Sequence, residues 1–220
     1  MGPEPGAAAK VDLLEIRGAA EPRNGAVGAA VIVSAAAHCD TLGRRNWKLA
    51  MTEIRSEHPG DVTAIRVVNE RAFGSPGEAE LVEKLRSANK AVVSLVAQRG
   101  DQVVGHILFS PITVANAPGS FRGVGLAPMS VLPEFQDSGI GSRLVREGLV
   151  ACRQAGYDIV VVLGHINYYP RFGFARAKDY GLDNEYDAAD AFMVLELNGG
   201  ALKRVSGLVK FAPEFQEAGC

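Results

Sequence analysis

Leu126-Ala-Pro-Met-Ser-Val-Leu-Pro-Glu-Phe-Gln-Asp-Ser-Gly-Ile-Gly-Ser142 is the stretch that decides this fold. An apolar, strand-like run ends near Leu132 and a short turn follows at Pro133. Gln136-x-x-Gly139-x-Gly141 then leads into an amphipathic segment from Ile140. Strand, glycine loop and helix in that order make an anion cradle. Glycine lets backbone approach a ligand closely, and the N–H groups of a first helical turn have no partner inside the helix. A glycine pair alone fits an ordinary strand-to-helix turn equally well, so the flanks have to decide.

Upstream, Pro128 lies inside the strand. Proline has no N–H to give a ladder and sits at sheet edges or bulges. A bulge there would leave backbone groups of Met129, Ser130 and Val131 unpaired with the next strand. Downstream, Ile140, Leu144, Gly148 and Cys152 share a helical face, with Val145 and Leu149 beside them. Arg143, Arg146, Glu147 and Arg153 point away, and Val150 is the exception on the polar side. Asp158-Ile-Val-Val-Val-Leu-Gly164 is an unbroken apolar run suited to a buried parallel strand. Asn167-Tyr-Tyr-Pro-Arg-Phe-Gly-Phe174 follows it.

These residues carry a resemblance. Val131-x-Pro-x-x-Gln-x-x-Gly-Ile-Gly141 resembles the acyl-CoA loop of the GNAT superfamily of N-acyltransferases, and Tyr169-x-x-x-Gly-Phe174 resembles its late Tyr-x-x-x-Gly-Phe signature. The two stand in the family's order at a fitting separation, which is far more specific than either alone. The wider pattern is similar to the YhbS-like group of bacterial acetyltransferases. Ala72-Phe73, Glu78-Ala-x-Leu-Val82, Gly105-x-x-x-Phe-Ser-Pro111 and Gly207-Leu-Val209 add to that likeness. It runs from about Thr52 to Phe215 and leaves out the first fifty or so residues.

Around this centre the elements are short and mixed. Glu53-Ile-Arg55 reads as a first strand, and Pro59-Gly-Asp61 as a turn with an N-cap at Asp61. Ile65, Val68, Asn69 and Ala72 continue a helical face to Phe73, and Gly74-Ser-Pro-Gly77 breaks it. Glu78 to Ser87 is a second helix. Val92 to Gln98 and Gln102 to Val114 are strands joined at Arg99-Gly-Asp101. Ala191 to Leu197 is a late strand, Asn198-Gly-Gly200 a turn, and Gly207 to Phe211 a last strand. The pattern is α/β: early antiparallel hairpins, then one strand–helix–strand crossover, which joins parallel neighbours. The resemblance implies the same architecture: a mixed, mostly antiparallel sheet with its parallel crossover at the acyl-CoA site.

Composition is that of an ordinary globular chain. Of 220 residues, 47% are hydrophobic and 22% charged, enough for one domain with a sizeable core. The formal net charge of −2 gives no basic field to attract nucleic acid. No apolar run approaches a membrane span. Cys39, Cys152 and Cys220 show neither metal spacing nor a pairing pattern, which fits a reducing compartment and the cytoplasm. Residues 1–50 form a Gly-, Ala- and Pro-rich extension expected to be disordered or outside the domain, and 51–220 form the domain. A secretory signal is disfavoured because Asp12, Glu15 and Glu21 precede the apolar run Ala29 to Ala37. Met51 directly precedes the domain-like text, and Trp47 is the sole tryptophan.

Acyl transfer from a thioester to an amine needs a grip on the cosubstrate, an oxyanion donor, a neutral amine and a proton for the leaving thiolate. The resemblance implies acetyl-CoA as cosubstrate, without a metal. The amides of Gln136, Asp137, Ser138, Gly139, Ile140, Gly141 and Ser142 are the candidate grip on its pyrophosphate. Gln136 stands where the family has Arg or Gln. Arg143 would add charge, or is a solvated helix residue. A backbone N–H among Met129, Ser130 and Val131 is the candidate oxyanion donor, against the alternative of a plain edge strand. The family places a general acid at Tyr169; a phenol near pKa 10 can protonate a thiolate. Packing against Phe172 and Phe174 is the alternative, and Tyr168 is its adjacent competitor. Asn167 is a further cofactor-contact candidate. The base stays open among His106, His165, Glu70, Glu78, Glu134 and a water chain. Cys152 reads as core.

The leading expectation is an N-acetyltransferase whose amine acceptor attacks directly in a ternary complex. An acyl-CoA-binding regulatory module with little turnover is the alternative. A binder of another phosphorylated ligand is a third, though no Gly-Lys-Ser/Thr follows the loop. The acceptor's identity is not written in the sequence, and a homodimer is left open.

Overall fold

The computed structural model describes residues 51–188 and 190–219. The extension expected at residues 1–50 lies outside the described residues, as do Cys39, Trp47 and Cys220.

The strands are β1 (Thr52–Ser56), β2 (Val93–Arg99), β3 (Gln102–Val114), β4 (Gly123–Val131), β5 (Ile159–Leu163), β6 (Ala175–Arg176), β7 (Leu182–Asn184), β8 (Phe192–Glu196) and β9 (Gly207–Lys210). The helices are α1 (Val62–Phe73), α2 (Gly77–Ser87), α3 (Ile140–Gln154) and α4 (Glu214–Ala218). The main sheet runs β1-β2-β3-β4-β5-β8-β6. All its neighbours are antiparallel except β4 and β5, which α3 joins as a parallel crossover. This is the architecture expected from the sequence. A second ladder was not expected: β9 pairs antiparallel with the end of β3 and parallel with β7.

Strand alternation puts the helices on opposite faces of the sheet. Gly105, Ile107 and Phe109 face α3: a Cβ on Gly105 would touch Leu144, and one on Gly148 would stand 2.5 Å from Phe109 Cε2. His106 faces α1, where its Nδ1 meets Asn69 Nδ2 at 3.2 Å. Both faces of β3 are therefore covered, and Val103 through Ser110 are all buried. The chain's end is clasped to α2 and the turn after it, Lys90 to Glu214 at 2.7 Å and Lys84 to Glu217 at 3.8 Å. Among the described residues no helix is long and apolar enough to cross a membrane.

Asp61 occupies the N-cap position of α1, but its side chain does not cap that helix. It turns back, accepting the His58 N–H at 2.7 Å and both Arg55 Nη groups at 2.7 and 2.9 Å. The Arg55 hydrogen bonds hold its carboxyl down at about 2. A bidentate guanidinium outcompetes a single helix amide, so Asp61 fastens β1 to the turn before α1.

Candidate active site

The site begins where β4 and β5 part. They pair from Gly123↔Ile159 to Gly125↔Val161 and no further. Beyond that point Val162 and Leu163 pair only with β8, and β4 pairs only with β3. The β3–β4 register jumps from Phe109↔Leu126 to Ile107↔Met129, so Ala127 and Pro128 stand opposite the single residue Leu108. This is the bulge Pro128 signals, and it leaves a wedge between Met129–Val131 and the end of β5. Alternation divides the three residues. Met129 turns its side chain toward α3, while Ser130, the register partner of His106, turns toward α1 and is buried with its Oγ unpartnered. Ser130 can therefore serve the wedge only through its backbone.

The loop beyond β4 is held from within. Gln136 Nε2 donates to the Val131 carbonyl at 3.0 Å, and Ser138 Oγ donates to the Phe135 carbonyl at 2.5 Å. Asp137 (φ 57°) and Gly139 (φ 83°) take left-handed conformations, which turn successive amides to one side. The first bond into the helix is Arg143 N–H to the Gly139 carbonyl at 3.1 Å. The N–H groups of residues 137 to 142 meet no acceptor among the described residues, and residues 136 to 139 are exposed. This is a nest of donors open to an anion. The two glycines differ in their reason. A Cβ on Gly139 would be in open space, so its backbone twist is the requirement. A Cβ on Gly141 would lie 3.0 Å from Tyr168 Oη and 3.3 Å from Met129 Sδ, so space is the requirement there. Arg143 is not aimed at the nest: its Nη1 donates to the Thr52 carbonyl at 2.6 Å.

The far wall comes from the turn after β5. The His165 carbonyl accepts the N–H groups of Tyr168 and Tyr169 at 2.9 and 3.4 Å, starting a 3-10 turn over Tyr169–Phe172 that Gly173 ends at φ 93°. Tyr169 is buried, its ring edge-on to Phe174 at 5.6 Å and pressed on Gly164, where a Cβ would collide with it. Burial pushes its phenol well above the usual range, and Tyr168 adds to the push. Tyr169 therefore packs as core, with its phenol held protonated. Asn167 is exposed on the same turn.

Tyr168, which the sequence offered only as a competitor of Tyr169 for the acid, has a different place. Its ring is edge-on to Tyr169 at 5.1 Å, and its hydroxyl reaches Gly141 across the wedge. Nothing in the spacing Tyr-x-x-x-Gly-Phe points to it. Only the twist of the 3-10 turn turns Tyr168 outward and Tyr169 inward.

The base candidates divide as well. His106 is fully buried, and burial, with Arg86 nearby, lowers it to about 3. Its Nε2 meets Ser94 Oγ at 3.0 Å, and that hydroxyl donates in turn to Glu57. Glu70 pairs with Arg66 at 2.8 Å, Glu134 with Arg71 at 3.1 Å, and Glu78 accepts Ser75 Oγ at 3.1 Å. His165, at the end of β5, is half-buried and is the one of the five that is neither fully buried nor paired through its side chain. Cys152 is core, its thiol pushed up to about 12 by burial. No cluster of metal-binding side chains occurs among the described residues.

Residues 29–174 match the sequence profile of the Acetyltransferase (GNAT) family. The chain is 37% identical over 164 residues to YhbS, an uncharacterized N-acetyltransferase of Escherichia coli K12, covering 74% of this chain and 97% of that protein. The crystal structure of YhbS from Escherichia coli in complex with CoA has a TM-score of 0.71 at 35% identity, covering 75% of this chain and 92% of that one. A GNAT family acetyltransferase from Brucella melitensis, solved in complex with acetyl-CoA, has a TM-score of 0.63 at 37% identity, covering 75% and 98% of the two chains.

Proposed function

This chain belongs to the GNAT family of acetyltransferases, and on that premise we propose that it moves the acetyl group of acetyl-CoA to a primary amine by direct attack in a ternary complex. The observation that carries this reading is the parting of β4 and β5 after Gly125↔Val161, directly before a nest of unpaired N–H groups. The nest at residues 137 to 142 suits a pyrophosphate. The wedge suits the arm that brings the thioester inward.

Each residue then has a defined task. Gln136 holds the end of β4 and shapes the loop. A backbone N–H of Met129, Ser130 or Val131 donates to the oxyanion that forms as the amine attacks. Tyr169 donates its O–H toward the sulfur. A phenol raised by burial is a poor acid toward a solvated thiolate. Burial of the thioester beside it would raise the departing thiol in the same direction, which narrows that gap. The amine loses its proton through the open wedge to water, with His165 standing at its edge.

Steady-state release of CoA thiol from acetyl-CoA, with a panel of amines and mass detection of the acetylated product, tests the proposal. An acceptor-dependent turnover is expected. Tight acetyl-CoA binding with no turnover on any primary amine would sink the transferase reading.

A further inference from the structure

Six of the twelve described arginines have a carboxylate partner: Arg55, Arg66, Arg71, Arg86, Arg176 and Arg204 all form ion pairs. Arg146 and Arg171 do not, among the described residues, and both are exposed. Both lie instead on one aromatic shelf. Arg146 sits 5.4 Å from the centroid of Phe172, and Arg171 sits 5.5 Å from the same ring and 3.9 Å from that of Tyr168. Arg171 Nε also donates to the Tyr168 carbonyl at 3.0 Å, which fixes its head, and no carboxylate among the described residues pairs with its two Nη groups. The far end of the same Tyr168 ring reaches Gly141, inside the nest. Arg171 thus stands against the ring that reaches the anion cradle, and Arg146 shares the Phe172 shelf with it.

We propose that Arg146 and Arg171 form a second anion subsite, which takes the 3′-phosphate of CoA and sets a preference for it over 3′-dephospho-CoA. This rests on the acyl-CoA reading above. The nest answers the pyrophosphate, whose charge every adenine dinucleotide-like ligand shares. A phosphomonoester dianion on the adjoining ribose is what distinguishes CoA from its dephosphorylated form. Guanidinium recognises it with parallel N–H donors. Stacking on Tyr168 and Phe172 holds both heads in place before the ligand arrives, so less side-chain freedom is lost on binding.

The test is calorimetric titration of the full chain with CoA and with 3′-dephospho-CoA. The wild type should prefer CoA by about ten-fold or more, the scale of one or two hydrogen bonds to a charged group. Arg171→Ala and Arg146→Ala should each remove much of that preference while leaving dephospho-CoA affinity within about two-fold. Arg171→Lys should keep part of it. Equal wild-type affinity for the two ligands would overturn the subsite alone. So would variants that lose both ligands equally, because the arginines would then act by propping Tyr168. Failure of the wild type to bind either ligand would instead overturn the acyl-CoA reading.

Discussion

Tyr168 Oη, and not the hydroxyl of Tyr169, stands over Gly141, where a Cβ would lie 3.0 Å from it. The adjacent tyrosines therefore differ in kind. Tyr168 joins the turn after β5 to the start of α3, whereas Tyr169 is buried against Gly164 and Phe174. The first prediction separates them.

Tyr169→Phe should lower kcat by about a hundred-fold or more, the range for losing a positioned acid, with CoA affinity nearly unchanged. Tyr168→Phe should do the reverse: a shift of a few-fold in CoA affinity and little change in kcat. Pre-steady-state thiol release with direct binding measurements gives both numbers. Full turnover in Tyr169→Phe, with chemistry rate-limiting, would remove it as the acid.

Gly139 and Gly141 should fail for different reasons. Gly139→Ala puts an L-residue at φ 83°, which costs about 1–2 kcal/mol and relaxes the nest. Gly139→Asn should be milder, since asparagine tolerates that region. Gly141→Val fills the space held by Tyr168 and Met129, so CoA affinity should drop at least ten-fold. Pairing it with Tyr168→Ala should restore part of the loss. Unchanged CoA affinity in both folded glycine variants would take the loop out of cosubstrate binding.

Gly148→Ala should destabilise the fold by about 1–3 kcal/mol, the usual cost of overpacking. The new methyl would meet Phe109 at 2.5 Å in a core with no exposure at that ring. Phe109→Leu in the same chain should recover some stability. Urea unfolding of the two single variants and the double reads the coupling, and strict additivity would argue against direct contact.

Asp61→Asn should lose about 1–2 kcal/mol at pH 7. The native carboxyl titrates near 2 because of Arg55, below its unfolded value near 4. A lowered pKa gives stability that is whole above the unfolded value and is lost as pH falls through the folded one. The gap between wild type and variant should therefore shrink between about pH 4 and pH 2. A gap that stays constant down to pH 2 would mean that the hydrogen-bond geometry matters and the charge does not.

What the chain announces in advance is backbone chemistry. Pro128 marked the bulge and Ile159 to Leu163 the buried strand, while Gly139, expected for close approach to a ligand, is needed for its left-handed backbone. Each of those properties belongs to a residue type at one place. What stayed hidden depends on partners far away in sequence. Asp61 reads as a helix cap until Arg55 reaches it. Arg146 reads as a solvated helix residue until Phe172 comes under it. Spacing separates Tyr169 from Tyr168, but only the 3-10 turn shows which ring is buried. β6, β7 and α4 run for two, three and five residues, too short for any periodicity to build up.

The strand order also sets a timetable for the nascent chain. β5 lies between β4 and β8 in the finished sheet, yet the ribosome makes β8 last of the three. At about 5–20 residues per second, the stretch from Leu163 to Phe192 takes a few seconds to synthesise. Throughout that interval Ile159 to Leu163, an uncharged β-branched run, has one edge with no neighbour to bond. Such an edge is a template for pairing with another chain. The hazard peaks while the protein is still being made and ends when Phe192 to Glu196 closes the edge. A stall or frameshift in the codons between them should therefore yield more aggregate than the chain that has closed this edge.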